Sequence, residues 1–135
     1  MLARMPAPLR LDLLPGRYAV VRLDEDAPPP DWAFAEPGLA AVVRRRGELS
    51  VVCAEDAVPA GARAEPGWRA LEVAGPLDFA LTGVLAALAA PLVDAGVSIF
   101  ALATYDTDVL LVRDAQLEAA VGALQRAGHA VSRVS

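Results

Sequence analysis

The chain has 135 residues and a mass of 14.0 kDa, and 56% of its residues are hydrophobic, enough for one ordinary domain or two very small ones. Its 17 acidic and 12 basic residues give a net charge of -5, which argues against a nucleic-acid partner. The sequence shows no apolar segment of the length of a signal peptide or membrane span, and the single cysteine, Cys53, excludes an intramolecular disulfide. We therefore expect a cytoplasmic protein without a membrane partner.

The first 60 residues are rich in strands and poor in helix. Alternating and β-branched runs predict strands at 9–14, 17–23, 39–44 and 48–54. Three prolines at 28–30 force an extended connection into a short helical turn at 31–35, where Trp32 and Phe34 are predicted to fill the core. The arginine triplet at 44–46 is interpreted as a solvated turn.

From residue 69 onward the hydrophobic period alternates between strand and helix. A strand at 69–73 precedes a helix whose inner face is predicted from the spacing of its apolar residues. Strands at 97–102 and 109–112 flank a turn, and a second helix and a strand at 130–134 follow. The order βαββαβ predicts an α+β, ferredoxin-like unit. The predicted inner faces are Leu81, Val84, Leu85, Leu88 and Leu92 in the first helix and Leu117, Ala120, Val121 and Leu124 in the second.

An internal repeat supports this order. The segments 92–99 and 124–131 share the pattern Leu-x-x-Ala-Gly-x-x-(Ile or Val), which describes a helix leading into a strand. Gly96 and Gly128 stand where a helix C-terminus needs a left-handed residue.

The segment 59–67 is the best linker, because it is rich in small residues and bounded by prolines. We therefore divide the chain into a reduced unit at 1–62 and a ferredoxin-like unit at 63–135. The N-terminal unit lacks enough helix to cover its sheet, so we expect it to pack on the C-terminal unit.

Residues 66–130 closely resemble proteins that carry two ACT-like units in one short chain. The residues that carry the resemblance are the run from Trp68 to Phe79, the helix opening Leu81-Thr82-Gly83, and the run from Ile99 to Asp108 with Leu111-Val112. The resemblance extends more loosely to the N-terminal unit. The cytosolic arginine sensors of the CASTOR type carry related domains. It implies an ACT fold and a regulatory function in which an amino acid binds at an interface between units.

The loop from Gly75 to Thr82 leads into a helix N-terminus, where free amides and the helix dipole favour a ligand carboxylate. At Gly83, a Cβ would stand between those amides and a bound ligand; alternatively, the glycine only allows the helix to pack closely on the sheet. Asp78 and Phe79 are expected to shape the pocket with Thr82, although Asp78 could equally cap the helix and Phe79 could belong to the core.

A free amino acid also needs a partner for its ammonium group, and Asp106 or Asp108 could provide it, since they lie two apart and thus on one side if the segment is extended. We favour Asp108, since it begins the strand that faces the loop. The alternative is that both aspartates bond their own backbone in the turn. Thr104 and Tyr105 would line the rest of the pocket.

The sequence shows few signs of catalysis. His129, the only histidine, follows a helix-ending glycine, and no nucleophile–base pair, metal-ligand spacing or cofactor motif is recognisable. We therefore expect a non-enzymatic protein without a cofactor, and a homodimer, because open sheet edges favour pairing. The alternative function is a structural or protein-interaction module that keeps the ACT-like fold without a ligand.

Overall fold

The structure is a computed structural model that describes residues 8–75, 77 and 83–133. Its strands and helices follow the predicted order, with boundaries that differ from the predicted ones by a few residues. Short 3-10 turns lie at Asp31–Phe34, Glu55–Ala57 and Asp114–Gln116. The main elements are β1 (Arg10–Leu13), β2 (Tyr18–Leu23), β3 (Ala41–Arg45), β4 (Glu48–Ala54), β5 (Ala64–Val73), α1 (Val84–Asp94), β6 (Ile99–Ala103), β7 (Asp108–Arg113), α2 (Leu117–Arg126) and β8 (Ala130–Arg133).

The chain forms two compact units, and the first strand belongs to the second of them. The N-terminal unit comprises Gly16–Trp68, and the C-terminal unit comprises Met1–Pro15 together with Arg69–Ser135. The predicted division at residues 62 and 63 placed β1 in the N-terminal unit, whereas the structure groups it with the C-terminal unit. The reason is its pairing, since Leu11 lies opposite Val73 of β5 and beside Val131 of β8.

The C-terminal unit has the predicted α+β, ferredoxin-like order βαββαβ, from β5 to β8. Among the described residues its strands lie in the order β6-β7-β5-β1-β8. Strand β1 is antiparallel to β5 and parallel to β8, so the N-terminal strand lies between the first and last strands of the βαββαβ unit.

Both helices of the C-terminal unit pack on this sheet through the faces that their spacing predicts. Val84, Leu88 and Leu92 of α1 are buried, as are the four predicted residues of α2. They form one cluster with strand residues that include Leu11 and Leu71. The prediction for Leu85 was wrong, because this side chain is 45% exposed. It lies in the first turn of the helix, at the outer edge of the stripe that Val84, Leu88 and Leu92 form. Leu81 lies outside the described residues.

The repeated sequence pattern corresponds to two matching helix ends. Gly96 and Gly128 have φ values of 73° and 99°, as predicted for left-handed residues after a helix. The amide of Val97 donates to Leu92 O at 2.9 Å, and that of His129 donates to Leu124 O at 3.0 Å. Each helix therefore ends in the same Schellman-type turn, which satisfies a carbonyl of its last turn.

The N-terminal unit is strand-rich, as predicted. Among its described residues the strand order is β3-β4-β2, followed by the first half of β5. A small cluster of buried residues forms its core, with Trp32 packed against it. The prediction that Phe34 fills the core was wrong, because its side chain is 60% exposed. The short 3-10 turn buries Ala33 instead, so Phe34 lies on the other side of the turn. The cluster contains Ala19, Val21, Ala33, Val51 and Cys53.

The arginine triplet is not simply a solvated turn. The Arg44 guanidinium donates to the carbonyl oxygens of Glu25 and Ala27, the latter at 2.7 Å. Glu25 in turn accepts a 2.8 Å hydrogen bond from the Gly47 amide through Oε2. The β3–β4 hairpin is thereby fastened to the loop that follows β2.

Candidate ligand site

The loop after β5 and the β6–β7 turn meet at one end of the C-terminal sheet. The Leu77 amide donates to Asp106 O at 2.7 Å, and Thr107 Oγ1 donates to Val73 O at 2.7 Å. We call this region, residues 73–77 and 104–108, the loop–turn junction. The sequence predicted that these two segments face each other, and the structure brings them into direct contact.

The turn itself is held by threonine. Thr104 N donates to Thr107 O at 2.8 Å, and Thr104 Oγ1 donates to the same oxygen at 2.8 Å. The Thr107 amide donates back to Thr104 Oγ1 at 3.2 Å. Among the described residues, the carboxylates of Asp106 and Asp108 accept no hydrogen bond. Hydrogen bonds of Thr104 and Thr107 therefore hold this turn, and not hydrogen bonds from the aspartates to their own backbone.

Gly75 allows the two segments to approach each other closely. A Cβ at this position would lie 3.2 Å from each of three atoms: Asp106 O, Leu77 N and Thr107 Cβ. Two of these atoms belong to the backbone and cannot easily move, so a larger residue would push the turn away from the loop. The sequence indicated the loop from Gly75 to Thr82 as a whole, but it did not reveal the contacts that Gly75, Leu77 and Thr107 make here. The signal that was available is the pair of threonines that bracket Tyr105 and Asp106.

Asp106 and Asp108 occupy different environments. Asp108 begins β7 opposite Ala103 and is half-buried. Alternate residues of a strand share a face, so Asp108 shares its face with Leu110 and Val112, which pack with the two helices. Asp106 lies in the exposed turn, before β7 begins. The two carboxylates would lie on one side only if the segment were extended, and the strand begins only at Asp108.

Gly83 directly precedes α1 and has φ 81° and ψ 2°. Glycine adopts this left-handed conformation more easily than other residues, so the backbone alone favours glycine at position 83. The sequence did not reveal this requirement. Its carbonyl accepts the 2.8 Å hydrogen bond from the Ala87 amide that begins the helix. Tyr105 is 81% exposed at the tip of the turn. The predicted site residues Asp78, Phe79 and Thr82 lie outside the described residues.

Within the described part of the chain, no group of three or more histidine, cysteine, aspartate and glutamate side chains is arranged to hold a metal ion. None of the described helices combines the length and apolarity needed to cross a membrane.

A βαββαβ order with two helices on its sheet defines a ferredoxin-like α+β unit as the class of protein. The sequence model of the ACT domain matches residues 63–126, and a model of an N-terminal domain family matches residues 16–61. The chain belongs to the ACT-domain family, which confirms the resemblance found in the sequence.

Solved structures share the fold. A protein of Agobacterium tumefaciens is 35% identical, with a TM-score of 0.90 and 96% of each chain covered. A Vibrio cholerae protein of unknown function, described as a possible transport protein, is 22% identical with a TM-score of 0.73, covering 90% of this chain and 91% of that one. The ligand-free regulatory subunit of aspartate kinase from Thermus thermophilus shares the fold at 17% identity and a TM-score of 0.60, covering 88% and 97%. No curated protein matches the chain significantly.

Proposed function

We propose that the chain is a non-catalytic regulatory protein that binds a small ligand, a free amino acid, at an interface between ACT units. The observation that carries the proposal is the loop–turn junction. Its two hydrogen bonds fasten the turn that bears Asp106 and leads into Asp108 to the loop that leads into α1. A regulatory subunit of aspartate kinase has the same fold, which agrees with a regulatory function.

The residues of the site offer a partner for each charged end of an amino acid. Asp108 is half-buried on the helix side of the sheet, where a carboxylate suits an ammonium group. The N-terminus of α1, beginning after Gly83, presents amides and a dipole that suit a carboxylate. In this proposal Thr104, Tyr105 and Asp106 line the rim, and Asp78, Phe79 and Thr82 complete the pocket from the loop.

The proposal includes a homodimer in the cytoplasm. Strand β6 carries no charged side chain and pairs only with β7 among the described strands, so assembly would protect an edge of this kind. Cys53 is a buried free thiol, which suits a reducing compartment. No cofactor, nucleic acid or membrane takes part. A ligand can regulate only through a difference in affinity between two states, so binding is expected to change assembly or contact with a separate partner.

Thermal unfolding of the full chain against a panel of free amino acids at millimolar concentration and constant pH tests the proposal. A ligand present at about 100 times its Kd stabilises the folded state by about 2.7 kcal/mol, which raises Tm by several degrees. One clear responder supports the proposed function and identifies its ligand. A flat panel would instead favour the ligand-free interaction module.

The variant Asp108→Asn then locates the site. It keeps the shape of the side chain and removes its charge, so we expect the responding amino acid to bind at least tenfold more weakly, about 1.4 kcal/mol. Asp31→Asn is the matched control, because Asp31 is exposed in the N-terminal unit. Equal affinity in Asp108→Asn and the native chain, measured by calorimetry, would reject this site assignment.

A further inference from the structure

His129, between α2 and β8, connects β8 to the start of β1. The backbone amide of Leu9, one residue before β1, donates to His129 Nδ1 at 3.0 Å, across 120 positions of sequence. The carbonyl oxygen of Leu9 accepts a 2.9 Å hydrogen bond from the Ala130 amide, at the start of β8. Two consecutive residues therefore hold both polar backbone groups of Leu9. We call these two contacts the β1–β8 clasp.

The clasp lies at the end of a short strand pairing. Among the described strands, β8 pairs only with β1, and the ladder runs from Arg10 beside Ala130 to Leu13 beside Arg133. Of the residues of β8, Val131 packs against the core cluster, and the other three are exposed. Burial of apolar area therefore contributes little to holding β8 on the sheet. Backbone contacts, including the clasp, carry a large share of this pairing.

The Leu9 contact requires one protonation state of the His129 imidazole. A backbone amide can only donate, so Nδ1 accepts through its lone pair and carries no proton. The proton of the neutral ring is then on Nε2. Protonation of Nδ1 would place two donors against each other at 3.0 Å, and the contact would be lost. Histidine is the side chain whose charge normally changes between about pH 5 and 8, so the contact depends on pH in this range.

The charged residues on β1, α2 and β8 offer an imidazolium no new partner. Glu118 of α2 is already paired with Arg133 of β8. Asp12 of β1 alternates with leucines that pack with the helices, so its carboxylate lies on the other face of the sheet. The other charged residues of these three elements, Arg10 and Arg126, are both positive. Protonation therefore gains no ion pair on these elements that would replace the lost hydrogen bond.

We propose that the β1–β8 clasp is a pH-sensitive switch that controls how firmly β1 is held. At neutral pH the unprotonated Nδ1 of His129 binds the Leu9 amide, and β1 is fixed between β5 and β8. In mildly acidic solution the imidazole takes up a proton, the Leu9 contact opens and the pairing of β1 with β8 loosens. Leu11 and Leu13 of β1 then leave the core more often. The switch needs neither a ligand nor a second copy of the chain, so it does not rest on the proposed function.

Long-range proton–nitrogen NMR of the imidazole tests the protonation state in the full, untagged chain. Because His129 is the only histidine, its ring nitrogens are identified without ambiguity. We expect the tautomer that carries its proton on Nε2 at about pH 7.5. A proton on Nδ1 at this pH would overturn the proposal, because that nitrogen could then accept no hydrogen bond.

Urea unfolding of the native chain and of His129→Asn between about pH 7.5 and 5.5 measures the effect of the proton. The variant is the matched control, since asparagine offers an amide oxygen as acceptor and does not titrate. The unfolded chain binds the proton freely, whereas the folded chain binds it only after the contact opens. Relative to the variant, the unfolding equilibrium constant of the native chain should therefore rise by up to about tenfold as the pH falls. Parallel pH profiles would overturn the proposal.

Hydrogen exchange, corrected for the intrinsic rates at each pH, shows where the structure loosens. In the native chain the amides of β1 and β8 should lose more protection at acid pH than those of β4, which belongs to the other unit. In His129→Asn the β1 and β8 amides should keep their protection. Equal losses in β1, β8 and β4 would indicate a general effect of acid and would overturn the assignment of a local switch.

Discussion

At the scale of single residues, Thr107 determines the geometry of the loop–turn junction. Its hydroxyl donates to a carbonyl of β5, 34 residues away in sequence, while its carbonyl and amide close the turn with Thr104. It thereby fixes the position of both neighbouring aspartates without needing to touch a ligand itself.

Replacing Thr107 with valine removes this hydroxyl but keeps the branched shape. We expect a loss of about 1 kcal/mol in the free energy of unfolding, because Val73 O would lose its partner at a partly buried position. Thr107→Ser keeps the hydroxyl and is expected to retain most of the stability. Urea unfolding of the three proteins measures the difference, and a valine variant as stable as the native chain would contradict the assigned contact.

Because of Cys53, the stability of the folded chain is expected to decrease as the pH rises in the alkaline range. Burial raises the pKa of its thiol in the folded state. In the unfolded chain the thiol ionises near its ordinary pKa of about 8.5, so above that pH the unfolded state binds fewer protons than the folded state. Stability is therefore unaffected below about pH 8.5 and decreases above it, by at most about 1.4 kcal/mol per pH unit.

Urea unfolding between about pH 7.5 and 9.5 compares the native chain with Cys53→Ala to check this effect. The alanine variant starts from a lower stability, since it removes a buried sulfur, but it should lose less with rising pH. Parallel pH profiles for the two proteins would contradict the effect.

At the residue level, the sequence predicted which polar side chains lie in the turn but not the contacts that hold the turn in place. The Thr-Tyr-Asp-Thr-Asp segment is visible as turn chemistry, so the sequence directed attention to Asp106 and Asp108. The requirement for glycine at position 75 arises only when the turn approaches the loop to 3.2 Å. That approach depends on the pairing of distant strands, which local sequence does not encode.

At the scale of elements, the ends of the helices are specified by glycine more than by side-chain caps. The two Schellman-type turns repeat the same geometry, with left-handed φ at Gly96 and Gly128. This is why the repeated sequence pattern led to correct helix ends.

Two glycines of the α2 region are expected to respond oppositely to alanine. Gly128→Ala should destabilise the chain by about 1 kcal/mol, because alanine strains the left-handed conformation. Gly122 lies inside α2, where alanine is favoured by up to about 1 kcal/mol. The new Cβ would meet only the movable end of Arg126, at 3.1 Å. Differential scanning calorimetry should therefore show a lower Tm for Gly128→Ala alone, and equal shifts would contradict the assigned roles.

The order of strands and helices could be predicted because it follows from hydrophobic periodicity. The burial of particular apolar side chains could not, because it depends on tertiary packing. The strand and helix order follows from periods of two and 3.6. Leu85 and Phe34 were placed in the core because they are large and apolar, yet both are exposed. Which apolar residues remain uncovered depends on the tertiary arrangement.

At the scale of the whole molecule, β1 makes the C-terminal unit discontinuous in sequence. Leu11 and Leu13 are 0% and 3% exposed within the main cluster of that unit, between β5 and β8. Alternation predicted that this segment is a strand, but not which strands it joins, because its partners lie far along the chain.

A fragment of residues 63–135 should therefore not fold cooperatively by itself. It contains the ACT match but lacks the strand that fills the gap between β5 and β8. The matched control is the same fragment with residues 8–15 attached through a glycine–serine linker, which should regain a cooperative thermal transition. Equal transitions in both fragments, followed by circular dichroism, would show that β1 is dispensable.

The same discontinuity determines the order of events during synthesis. Domains generally fold as they leave the ribosome, N-terminal first. Residues 16–68 are contiguous and can close as soon as they emerge, while β1, made earlier, must wait for β5 and finally for β8, the last strand described. The leucines of β1 therefore stay available to other hydrophobic surfaces until β8 has been made, so β1 precedes the other described strands in synthesis but is protected after most of them.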